Sequence, residues 1–278
     1  MAEYSRTQYN FNSRIVLNDN TTDPDQFVLT DVNSITDTIA ENTEESRVTD
    51  VGIVDYGTHL GKGIVEIPVT LFASTLAKMA DLIQDFKTAF NPDLLEADTT
   101  YGEAAGKGGF HPMNWTETVG ATSRAFMIYL KATEIPKVAS DSLAGLIRKS
   151  IIKLKAQDPR KYLQTQSSIN TAGTANNAGD TNTPVEITIT ASGATSTSLA
   201  IANTTRSETI TVSTALSTGQ VLVIDTRNHS VKLDGVERRD YLANTSLWMM
   251  LSPGNNIITI TNGTNCTVST KWYSAWSL

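Results

Sequence analysis

GQVLVIDTRNHSVKLDG, residues 219–235, and LANTSLWMMLSPGNNIITIT, residues 242–261, decide how this chain is read. Each reads as a β-hairpin: short apolar strands joined by residues that tolerate tight or left-handed backbone. Turns fall at Asp225 to His229 and at Asp234-Gly235, and Pro253-Gly254-Asn255-Asn256 makes a corner before the closing strand. Similar strands surround them. Val185, Ile187 and Ile189 alternate after Pro184, and Ile210 with Val212, Val221 to Ile224, Val231 with Leu233, Ser246 to Leu251, Asn256 to Thr261 and Cys266 to Trp272 follow. Asn262-Gly263 reads as a hairpin turn joining the last two. Many short strands separated by turn signals predict an all-β sandwich or jelly roll over 184–278.

Residues 163–183 are dominated by Thr, Ser, Asn, Gly and Ala and offer little surface to bury against the entropy of ordering, so a linker or extended crossing is expected there. Charge changes at the same place. Residues 1–162 hold 16 Lys/Arg and 22 Asp/Glu, residues 163–278 only 6 and 7, and no Lys or Arg occurs from Tyr162 to Thr205. A first domain over 1–162 is therefore expected.

That domain opens with short strand-like pieces, Arg14 to Leu17 and Phe27 to Leu29, in an acidic stretch where nine acids face one base between Asp19 and Asp50. Period-two alternation of Val65, Ile67, Val69 and Leu71 makes 63–72 a half-buried strand. A helix follows. Ser74 is placed as its N-cap, Leu76, Met79, Ile83, Phe86 and Phe90 form one apolar stripe, and Asn91-Pro92 ends it. Glycine-rich 101–120 reads as a long loop, and Arg124 to Ile135 and Ile147 to Lys155 read as strands. The expectation is a mainly β chain: a β-sandwich-like N-terminal domain with one packed helix, then a C-terminal β-sandwich.

Length and composition suit one large or two ordinary globular domains. A net charge of −7 and a pI near 5.0 argue against nucleic-acid binding as the main task. No apolar run approaches the roughly 20 residues that span a bilayer, and the N-terminus lacks a secretory signal core, so synthesis in a cytoplasm with release by lysis is expected. One cysteine, Cys266, excludes an internal disulfide and reads as a structural thiol.

Catalytic patterns do not assemble. His59, His111 and His229 lack paired metal-ligand spacing. GTHLGKG at 57–63 is one residue short of a phosphate loop and has Gly63 where Ser or Thr is required, and GKGG at 106–109 lacks the flanking strand and helix. Asp19, Asp23 and Asp25 lack the glycine and terminal glutamate of a calcium loop. No enzyme activity, catalytic residue, metal site or cofactor is expected. Trp248, Trp272, Tyr273 and Trp276 offer a sugar-stacking platform as an alternative to core packing, which is favoured for Trp248 and Trp272. Residues 148–161 carry six bases (Arg148, Lys149, Lys153, Lys155, Arg160, Lys161) against Asp158. In a head-to-tail ring this basic edge would meet the acidic 19–50 stretch of the next protomer.

The order of these pieces resembles the distal tail protein family of long-tailed bacteriophages (siphoviruses) across nearly the whole chain. Asp158-Pro159 with Tyr162, then Asn177, Gly179 and Pro184, then Asp234-Gly235 with Pro253-Gly254 and Asn256 carry the resemblance. It implies a structural, non-catalytic ring adaptor: a homohexamer assembled through the N-terminal domain, with a galectin-like sandwich projecting outward. Its implied partners are the tail-tube, tail-hub and tape-measure proteins, with DNA only in transit through the central channel and a host-surface glycan as a further partner of the C-terminal domain. The implied location is the virion tail tip, after assembly in the host bacterial cytoplasm. Two alternatives are a major tail-tube protein with an appended sandwich and a carbohydrate-binding β-sandwich module; the order of helix and then DPRKY favours the distal protein.

Overall fold

The computed structural model describes residues 8–11, 13–17, 24–29, 64–97, 110–119, 122–139, 145–156, 158 and 160–277. Most of the acidic 19–50 stretch, His59, the 57–63 and 106–109 glycine motifs and Pro159 lie outside these residues. Two compact units divide the chain, one over residues 1–161 with Leu278 and one over 162–277.

The first unit contains β1 (Tyr9–Phe11), β2 (Ile15–Leu17), β3 (Gln26–Leu29), β4 (Ile64–Phe72), α1 (Leu76–Ala89), α2 (Pro92–Ala97), β5 (His111–Val119), β6 (Thr122–Ala132) and β7 (Ile147–Ala156). The strands pair in the order β6-β5-β1-β2-β3-β4-β7, and β7 pairs again with β6, from Leu130↔Ala156 to Ala132↔Leu154. The sheet therefore closes into a seven-stranded barrel, which corrects the sandwich-like expectation. Closure occurs because β7 is long enough to be paired along both edges, by β4 over nine residues and by β6 at its end. All described neighbours are antiparallel except β2–β3.

Alternation places one row inside. Tyr9↔Trp115, Trp115↔Phe126, Phe11↔Met113, Met113↔Ile128 and Ile67↔Ile152 are cross-strand pairs of buried side chains. The helix adds rings to this core: Phe90 stacks on Phe11 at 4.8 Å, Phe86 on Phe27 at 5.6 Å, and the two meet edge-on at 5.3 Å. Its N-cap is Thr75, not Ser74. Thr75 is extended, and its hydroxyl accepts from the Lys78 amide at 3.2 Å. The Ser74 amide instead donates to the Asp25 carboxylate, which holds Asp25 below the usual carboxylate range. The buried stripe starts one turn later than expected, since Leu76 is 64% exposed. The expected 101–120 loop yields β5 in its second half: Met113 and Trp115 alternate inward, a signal masked by the glycines before it.

The second unit contains β8 (Lys161–Ile169), β9 (Gly173–Asn177), β10 (Thr183–Ala191), β11 (Leu199–Asn203), β12 (Glu208–Val212), β13 (Val221–Asp225), β14 (Ser230–Leu233), β15 (Val236–Glu237), β16 (Met250–Leu251), β17 (Gly254–Thr261) and β18 (Cys266–Trp276). One sheet runs β15-β14-β13-β10-β18-β8 and the other β12-β11-β17-β9. Ile187, Ile189, Leu222 and Ile224 of the first share one buried cluster with Leu199, Ile201, Ile210 and Ile258 of the second. Each such side chain stabilises the pair of sheets by roughly 1.5–3 kcal/mol.

Three expectations are corrected here. Of the two expectations for residues 163–183, a linker or an extended crossing, the linker is corrected: β8, β9 and the start of β10 occupy them as extended chain passing between the sheets, since ladder hydrogen bonds form without large side chains and Ala175 and Asn177 supply the buried face. Asn262-Gly263 turns the chain as expected, with Asn262 at φ 58°, but it is not a hairpin. β17 stays with β11 and β9, while β18 crosses to β10. The 242–261 stretch is likewise a sheet-to-sheet corner. Only Met250 and Leu251 of the expected 246–251 strand are β, and they pair with β10. The first hairpin is real: Asp225↔Ser230 closes β13–β14, and Asp234-Gly235, both at positive φ, closes β14–β15.

Candidate functional site

Two surfaces stand out, one in each unit. On the barrel, burial of Ser150, Ile152, Leu154 and Ala156 inward turns Ile147, Lys149, Ile151, Lys153 and Lys155 outward. Ile147 is 41% and Ile151 48% exposed, an apolar pair within a basic row. Three of the six bases predicted to form a charged edge are engaged within the chain. Lys153 reaches Glu134 at 3.4 Å and Glu66 at 3.8 Å, Arg160 grips Asp158 with two bonds of 2.7 Å, and Lys161 bonds Glu117 at 3.0 Å. Lys155 lies directly opposite Lys131 across the β6–β7 seam. The outward isoleucines were not separable from core isoleucines by sequence, because 151 and 152 are adjacent and only the register decides which points in.

In the second unit the segment after β15 forms a strap along β12. The Ala243 amide bonds the Thr211 carbonyl at 2.9 Å, the Leu247 amide bonds that of Thr209 at 2.9 Å, and the Ser246 hydroxyl both accepts from and donates to the Thr211 backbone. Between strap and strand lies a recess of about 160 Å³, lined by Ile210, Arg239, Leu242, Ala243, Asn244, Ser246, Leu247 and Trp248. The Asp225–His229 turn supplies its support. Asp225 accepts from the amides of Arg227 and Asn228, His229 adopts φ 51°, and its imidazole stacks on Trp248 at 4.8 Å and 17°. The Arg239 guanidinium lies over the same indole at 5.3 Å. Burial, then the Arg239 charge, lowers the His229 pKa. No spacing in the sequence signals this meeting of His229, Arg239 and Trp248.

The other candidates are structural. His111 is buried in the barrel, its Nε2 donating to the Leu95 carbonyl at 2.7 Å and so tying α2 to β5. Trp272 is buried and donates to the Asn176 carbonyl at 3.0 Å. Trp248 is only partly buried, at the rim of the core rather than within it. Tyr273 and Trp276 are half-buried on β18. Burial raises the Cys266 pKa, which keeps the thiol protonated and a poor nucleophile. Among the described residues no group of three or more His, Cys, Asp or Glu is arranged to hold a metal ion, and no helix is long and apolar enough to cross a membrane.

A separate constellation accounts for Asn177, Gly179 and Asn256 among the residues that carried the family resemblance. Asn177, Asn203 and Asn256 are all fully buried. Asn177 bonds the Thr181 and Leu251 carbonyls and accepts from the Gly179 and Ala275 amides. Asn256 accepts from the Ser252 amide and from Asn203 Nδ2, and donates to the Ser252 and Gly254 carbonyls. A Cβ on Gly179 would lie 1.7 Å from the Ala275 carbonyl oxygen, so only glycine fits.

Residues 178–276, which begin at this constellation, match the family model for the siphovirus-type tail component, C-terminal domain. The match lies within the second unit, and the family model does not extend to the barrel. No curated protein matches the chain in sequence. Among solved structures, the Dit protein of phage SPP1, described as a paradigm of the hub adsorption apparatus in phages infecting Gram-positive bacteria, aligns with a TM-score of 0.62. The match covers 97% of this chain and 98% of that one at 13% identity, so the shared property is the fold. Weaker likenesses are to chains of the phage P2 baseplate in its activated conformation with Ca (TM-score 0.45) and with Sr (0.47). Each is at 8% identity and covers 95% of this chain and 97% of the other. The tail-component domain thus follows a barrel that shares in the Dit fold.

Proposed function

We propose that this chain is a distal tail protein: a structural, non-catalytic adaptor that forms a hexameric ring through its barrel and joins the tail tube to the tail-tip hub. The observation that carries this reading is the extent of the Dit likeness, which runs over 97% of the chain and so includes the barrel as well as the tail-component domain. The second unit is read as a galectin-like sandwich directed away from the ring. The central channel would pass the tape-measure protein and then DNA. The excess of acids over bases in residues 1–162, 22 against 16, would discourage phosphate from adhering during passage. Assembly in the host cytoplasm would place the protein at the virion tail tip.

The exposed β7 row is the ring contact best supported by chemistry, with Ile147 and Ile151 as apolar anchors and Lys149 and Lys155 facing acids of the next protomer. Light scattering on Ile147→Asp/Ile151→Asp tests this. Dissociation to monomers with both units still folded is the expected result. A double variant that keeps the mass of the parent ring would remove β7 from the interface.

A further inference from the structure

We propose that the recess beside Trp248 binds a single saccharide unit bearing an anionic substituent, a carboxylate or a phosphate. Size sets the first limit. At about 160 Å³ the space is below the roughly 300–1,000 Å³ of drug-sized pockets and suits one ring. Charge sets the second. Arg239 is the only ionisable group in the lining. Its neighbour Arg238 is committed to Asp240 by two bonds, of 3.0 and 2.9 Å, and Glu208 on β12 is taken by Arg206 at 2.8 Å and by the Met250 amide. No carboxylate among the described residues pairs with Arg239, so its planar fork is left for an anion from outside.

The remaining walls have the mixed character a sugar needs. Ile210, Leu242 and Leu247 supply apolar surface for a C–H face, and the Asn244 amide supplies donor and acceptor. The site is also preformed. The strap is laced to β12 by backbone bonds, and His229 backs the indole through a turn that Asp225 fixes, so little ordering entropy remains to be lost on binding. The recess is complete within the second unit and does not depend on ring formation.

Calorimetry with the full chain and three probes tests the proposal: glucuronic acid for the carboxylate, glucose 6-phosphate for the phosphate, and glucose as the neutral reference. The expected result is saturable binding of at least one anionic probe, with glucose and Arg239→Gln each weaker by about tenfold, near 1.4 kcal/mol. Arg239→Lys should recover part of that loss, and both variants should melt with the parent because the residue is exposed. Equal affinity for glucose, unchanged binding by Arg239→Gln, or no saturable signal from either anion would overturn it. Because ring mass is measured separately on the same preparation, failure of sugar binding and failure of assembly are distinguishable.

Discussion

Aromatic rings fix the barrel and amides fix the sandwich, and the difference decides how each unit should fail. In the first unit Phe11, Phe27, Phe86 and Phe90 meet at centroid distances of 4.8–5.6 Å, and their contribution is spread over a large apolar area. In the second unit, β16, the 252–256 corner and the start of β10 are held by Asn177, Asn203 and Asn256 at single, directional bonds. A packed ring can relax around a smaller one. A buried amide has no substitute, and its lost partners stay unpaired in low dielectric.

The largest contrast is expected from Gly179→Ala. With the Ala275 oxygen 1.7 Å from the new Cβ, the backbone of β18 must move, and a loss above about 5 kcal/mol should melt the second unit. Calorimetry would then record one transition, that of the barrel. Retention of both transitions would show that the corner relaxes freely. Phe86→Ala is the converse test. It should destabilise the first unit by about 3–5 kcal/mol and leave the sandwich transition in place. Asn256→Ala comes next, at about 2–3 kcal/mol, because it strands the Ser252 amide and the Asn203 side chain together. Asn256→Ala and Asn203→Ala, melted singly and combined, should be strongly non-additive.

These same contrasts explain what was legible in the sequence. Periodicity exposed the α1 stripe and the β4 and β7 strands, because buried rows repeat at fixed spacing. Turn chemistry exposed Asp225 to His229 and Asp234-Gly235, where side-chain bonds and positive φ are local properties. Pairing partners were not local. Asn262-Gly263 turns the chain whether the next strand returns beside the last or crosses to another sheet, and nothing in those two residues reports which. β8 and β9 were hidden for a related reason: polar strands are stabilised by neighbours distant in sequence, such as β17 facing β9. Barrel closure through β6–β7 and the Trp248 recess both depend on such distant partners.

The smallest expected effect lies at the recess. The folded His229 pKa is below its unfolded value of 6.5, so the unfolded chain binds the proton more readily. The neutral ring's stability contribution is therefore complete above pH 6.5 and is lost as pH falls toward the folded value. His229→Gln should flatten that part of the second unit's stability profile, read from chemical denaturation at a series of pH values, while the barrel's profile is unchanged.

On the proposed function, a barrel sharing the Dit fold and a siphovirus-type tail-component domain together make a ring-forming adaptor. Electron microscopy of the purified full-length chain measures this directly. Closed sixfold rings with a central opening and the second units at the periphery are expected. A particle population that stays monomeric at the highest soluble concentration would contradict it.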